Sequence, residues 1–97
     1  MARARHFWHN FRGRRYRVRV LPASAMPKAT PCGVCDDPAS EGKEMVLMGT
    51  GGERDVLDGF IHESLHACLW DLSEDAVGET AGAIARLLLK LGYRRGR

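Results

Sequence analysis

The hydrophobic period changes partway along this chain, and that change limits the fold more than any other feature. In residues 14 to 21, "RRYRVRVL", Tyr16, Val18 and Val20 alternate with Arg15, Arg17 and Arg19, the two-residue period of a strand with one buried and one solvated face. From about residue 54 the apolar positions instead recur at helical three- and four-residue intervals. A chain of 97 residues has room for one core, so both patterns must serve it. The expectation is an α+β fold in a single domain over residues 1–97: a small β-sheet, then two helices packed as a hairpin.

Residues 1–13, "MARARHFWHNFRG", show no clean period and read as a basic arm able to form a short helix. Residues 22–43 contain all four prolines and many small residues, so they read as a long loop before a second short strand, "EMVLM". That strand is expected at a sheet edge, open to pairing with an extended peptide. After the turn "GTGG", Leu57, Phe60, Ile61, Leu65 and Cys68 fall on one helical stripe that ends near Leu69. Ser73 is placed to cap a second helix, with Glu74 and Asp75 at its positive end. Val77, Ala81, Ile84, Leu88 and Leu91 form its apolar stripe, and Gly92 is its stop.

Charge divides the chain into three. Residues 1–35 carry eight Lys/Arg and no acid, residues 36–85 carry twelve acids against two bases, and residues 86–97 carry five bases and no acid. No apolar run approaches the length needed to cross a bilayer, which predicts no membrane partner. The basic start is not followed by a signal-peptide core, and three cysteines are an odd number for a disulfide framework. Both features predict a cytosolic or virion address and free or metal-bound thiols.

The chemistry-bearing stretch is "IHESLHACLW", residues 61–70, in which His62, Glu63 and His66 make H-E-x-x-H. Residues four apart share a helix face, so His62 and His66 can offer two imidazoles to one zinc ion while Glu63 stands to one side as a general base. Phe60, Ile61, Ser64, Leu65, Ala67 and Cys68 around them carry no charge, which suits a helix with a low-dielectric flank. The plain alternative is a helix with two solvated or hydrogen-bonded histidines.

With "GVCDDP", "IHESLHAC" and the later "LSEDAV" and "LGYR", the chain resembles the zincin metallopeptidases, in particular small phage or prophage proteins, over roughly residues 33 to 95. The resemblance implies a minimal gluzincin: a small sheet, an active-site helix carrying His62, Glu63 and His66, and a second helix that supplies a glutamate ligand. It implies hydrolysis of a peptide or protein substrate through a water activated by Zn2+.

Two glutamates compete for the third ligand position. If the helices form a hairpin across residues 70 to 73, the level of Ser64 faces Glu79, and Glu74 lies about 7 Å further along. The helical face favours the other candidate, because Glu74 lies within about 60° of the apolar stripe whereas Glu79 lies about 200° from Val77. Gly78 and Gly82 permit close helix approach near Glu79, and Glu74 already has a role at the helix start, so Glu79 ranks first and Glu74 is its alternative. Candidates for stabilising developing negative charge are Tyr93 and an N-terminal His or Arg.

Cys32 and Cys35 make one C-x-x-C, half of a structural zinc site, for which His6 and His9 are the only local complement. A second option is latency, with a thiolate of Cys32 or Cys35 filling the open zinc position, as in the cysteine switch of other zincins, whose "CGV" this loop resembles. Otherwise Cys35 and its turn are structural, and Cys68 belongs to the core. The seven arginines in the first nineteen residues, interleaved with Phe7, Trp8, Phe11 and Tyr16, suit nucleic acid or an acidic partner, or else solvate the outside of a small core. The competing function is therefore a non-catalytic, zinc-stabilised module that binds nucleic acid or a phage or host protein.

Overall fold

The structure is a computed structural model that describes residues 5–26 and 33–94. It is α+β: strands β1 (Arg5–Phe11), β2 (Arg14–Leu21), β3 (Gly33–Cys35) and β4 (Glu44–Met48), then helices α1 (Glu53–Cys68) and α2 (Glu74–Lys90). The strands form one mixed sheet in the order β1-β2-β4-β3. β1 and β2 are antiparallel, β2 and β4 parallel, and β3 and β4 antiparallel.

Three expectations are corrected. The first residues described are a strand, not an arm or a short helix. A two-residue turn makes it so: Arg12 and Gly13 both have positive φ, at 54° and 82°, and Phe11 pairs directly with Arg14. That primed turn has the twist of a tight hairpin, and it turns β1 back onto the strongly patterned β2. β3 lies inside the segment read as loop; three residues are too few to show a period, and pairing with β4 defines it. "EMVLM" is not an edge strand, since β4 lies between β2 and β3.

The core lies between one sheet face and α1. Tyr16, Val18 and Val20 from β2, Met45 and Leu47 from β4 and Ala67 from α1 are buried together, with Phe11, Cys35 and Phe60 packed around them. Burying a side chain such as Val18 contributes on the order of 1.5–3 kcal/mol. α2 packs on α1 through Val77, Ala81, Gly82 and Ala85. α1 therefore has three environments around its axis: the sheet, α2, and the flank between them.

Both ends of α2 are built as its sequence leads one to expect. Ser73 Oγ accepts the Ala76 N–H at 3.1 Å. At the other end Gly92 has φ 91°, its N–H donates to the Leu89 carbonyl at 3.0 Å, and the Tyr93 N–H donates to the Leu88 carbonyl at 3.0 Å. This is the double bond of a Schellman stop. Among the described residues, no helix is long and apolar enough to cross a membrane.

Candidate metal centre

The flank between sheet and α2 is where the two histidines emerge. His62 and His66, one helical turn apart on α1, stack edge to face with ring centroids 4.9 Å apart. Both Nε2 atoms turn toward one carboxylate at the first position of α2: His62 Nε2 lies 2.7 Å from Glu74 Oε1, and His66 Nε2 lies 3.1 Å from Glu74 Oε2. Trp70 packs at the edge of His66, with centroids 6.0 Å apart, and closes that end of the cluster.

Glu74 thus joins the two imidazoles, whereas Glu79 is exposed on α2 and outside the cluster. The ranking that put Glu79 first assumed a hairpin register that sets Asp58 level with Ala85. The structure instead brings Asp58 beside Gly82, where a Cβ would lie 3.8 Å from its carboxylate, a displacement close to one helical turn. That displacement carries the start of α2 back to the histidines. The helical-face criterion pointed to Glu74, and it carried more information than level along the axis.

Two imidazole nitrogens and a carboxylate oxygen all lie within 4.8 Å of one another. Donors on one tetrahedral zinc, at bonds of about 2.0–2.1 Å, stand roughly 3.3 Å apart, so the three groups fit a small divalent cation with little movement. Among the described residues no other group of this kind occurs. His6 and His9 lie on opposite faces of β1 and cannot share an ion, and Cys32 lies outside the described residues. The His62 contact holds the Glu74 carboxyl below its ordinary value, aided by the charge of His66 and opposed by a small loss of solvation.

Glu63 points elsewhere. It is 8% exposed, the one buried charged side chain among the described residues, and it lies under the edge strand β3. A Cβ on Gly33 would stand 3.2 Å from both its Cγ and its Oε2. Burial raises the proton affinity of Glu63, and Glu74 adds to that rise, while His62 and His66 oppose it. Behind it, the Tyr16 hydroxyl and the Cys35 thiol both donate to the Asp36 carbonyl, at 2.8 Å and 3.4 Å. Burial, with the charges of Glu63 and Asp36, pushes the Cys35 thiol up to about 11 against the opposing Tyr16 hydrogen bond. With no metal bound to it, Cys35 is therefore a neutral thiol at ordinary pH.

Tyr93 lies beyond the far end of α2, which runs about 24 Å from Glu74 to Lys90, too far to act on the cluster. Of the N-terminal basic groups, Arg12 and Arg14 line a cleft of about 500 Å³ with Cys68, Trp70 and Leu72. Arg12 Nη1 donates to the Cys68 carbonyl at 3.0 Å and so ties the β1–β2 turn to the end of α1. Cys68 lines this cleft and is only partly buried. Sequence reasoning missed Gly33 and Tyr16 as neighbours of the site; the glycine between two cysteines was the available signal.

Comparisons with protein-family models, curated proteins and solved structures return no match to this chain.

Proposed function

We propose that the protein is a minimal zinc-dependent metallopeptidase of the gluzincin kind, with His62, His66 and Glu74 holding the ion and Glu63 as general base. The observation that carries this reading is the convergence of both Nε2 atoms on Glu74, at 2.7 and 3.1 Å, with the buried Glu63 next to His62 in the helix. Two imidazoles and one carboxylate are a donor set suited to zinc, and they leave a position open for substrate. When bound, the ion would supply Lewis acidity, polarising a peptide carbonyl and making a water acidic near neutral pH.

The chain's own residues do the rest. Glu63 accepts the proton of the attacking water and delivers it to the leaving amine. Its partial desolvation makes it a better proton acceptor than an exposed glutamate. β3 is at the sheet edge and crosses Glu63 at Gly33, so an extended peptide pairing along its free side would pass the base. A cytosolic or virion address accords with the free thiols of Cys35 and Cys68.

The test is Glu63→Gln, which keeps the shape and hydrogen-bonding capacity of the side chain but removes the base. Zinc content should stay at that of the wild type while cleavage of a peptide library falls below detection. Unchanged cleavage would reject the catalytic assignment and leave a non-catalytic zinc-stabilised module.

A further inference from the structure

The sheet has a second face, and the candidate metal centre makes no use of it. Tyr16, Val18 and Val20 point at α1, so Arg15, Arg17 and Arg19 point the other way. Cross-strand pairing sets Asn10 opposite Arg15, Trp8 opposite Arg17 and His6 opposite Arg19. The result is two parallel rows on the exposed β1–β2 half of the sheet, one of three arginines and one of His6, Trp8 and Asn10. Successive members of a row stand about 6.7 Å apart.

Two observations give this face a ligand. First, the hairpin Arg5–Leu21 holds six arginines and no acid. Among the described residues, the carboxylate that reaches the arginine row is Glu44, 3.6 Å from Arg17 and 3.4 Å from Arg19, and a single charge leaves that pair net positive. Second, Trp8 is 55% exposed in the middle of its row, and the Arg15 guanidinium lies 4.3 Å from its ring centroid. A guanidinium stacked on one side of an indole fixes the ring and leaves a π surface beside fixed positive charge.

We propose that the outer face of β1 and β2 binds single-stranded nucleic acid, with a base stacked on Trp8 and phosphates on Arg15, Arg17 and Arg19. A duplex keeps its bases stacked and out of reach of a flat sheet, whereas a single strand can offer one base to an aromatic ring and its backbone to the arginine row. This site is independent of the proposed metal centre, which lies on the other side of the sheet.

The experiment is fluorescence anisotropy of a labelled oligothymidylate of about 20 nucleotides, titrated with the full chain up to about 100 µM at low and moderate salt. Three phosphate contacts on a single strand predict an affinity about 20-fold weaker at roughly 200 mM salt than at 50 mM. Trp8→Ala should weaken binding about 10-fold at unchanged salt dependence. Arg15→Ala and Arg17→Ala should each flatten that dependence. Circular dichroism melts of each variant verify that the fold is kept. Absence of binding, equal affinity for a duplex, no effect of Trp8→Ala in a folded variant, or loss of binding on adding a chelator would each overturn the proposal.

Discussion

A Cβ on Gly33 would lie 2.9 Å from the Val46 carbonyl oxygen and 3.2 Å from Glu63 Oε2, so the edge strand and the buried glutamate fit only because residue 33 has no side chain. The φ of Gly33, 152°, is also one that residues with a Cβ rarely adopt. Gly33→Ala must therefore move β3 away from β4, displace Glu63, or both. A loss of about 1–3 kcal/mol is expected, which for a domain of this size lowers Tm by several degrees or more. Zinc content should be retained, because the atoms nearest a Cβ on Gly33 belong to Val46 and Glu63 and not to His62, His66 or Glu74, while any hydrolysis should fall with Glu63 out of position. A melt indistinguishable from wild type would show that β3 gives way freely.

Cys35 lies two residues along the strand from Gly33 and carries a pH signature. With its thiol pushed up to about 11, it should react with iodoacetamide near pH 8 about 100-fold more slowly than an exposed thiol. The measurement uses a chain in which Cys32 and Cys68 are replaced by Ala. The sign of the stability effect follows from the same shift. Below the ordinary value of 9.0 the thiol is protonated in both folded and unfolded chains; between that value and about 11 only the unfolded chain ionises. Stability is therefore lost as pH rises through this interval, by on the order of 2 kcal/mol. Chemical melts of wild type and Cys35→Ala should diverge there, with the variant lacking this part of the decline.

What could be read from the sequence follows the physics of each element. α1 and α2 each span four turns or more, long enough for the helical period to show, and Ser73 and Gly92 mark the ends of α2 with specific chemistry. β2 is legible because Tyr16, Val18 and Val20 alternate with Arg15, Arg17 and Arg19 along it. β1 is not, because it is exposed on both sides and carries aromatic residues on both, so no buried stripe writes a period into it. β3 exists only through its partner. The two histidines were legible because their relation is local to one helix. Glu74 was ambiguous because its relation to them depends on how two helices cross, which a loop length alone does not determine.

That ambiguity has a direct measurement. Glu74→Ala should weaken zinc binding by more than about 100-fold, since it removes a direct ligand where loss of an outer-shell partner already costs 10–100-fold. Glu79→Ala, exposed and outside the cluster, should leave affinity unchanged. Competition titration against a chromogenic chelator reads both. The reverse result would require α2 to slide along α1 toward the register expected from the loop, and would displace Glu74 from the proposed centre.

Ser73 tests whether the proposed centre depends on the helix that carries its carboxylate. The Ser73 hydroxyl accepts the Ala76 N–H at 3.1 Å, and Glu74 is the next residue, so one cap fixes both the start of α2 and the direction from which Glu74 approaches the histidines. Glu74 is itself exposed, with 71% of its side chain accessible, so packing does little to hold it. Ser73→Ala should cost about 1 kcal/mol of stability in the metal-free chain. It should also weaken zinc binding, because the first turn of α2 frays and Glu74 is no longer held against His62 and His66. Ser73→Asp, which can cap the same N–H, should restore both stability and affinity. Restoration of stability without affinity would mean that the hydroxyl acts on Glu74 by a route other than the cap.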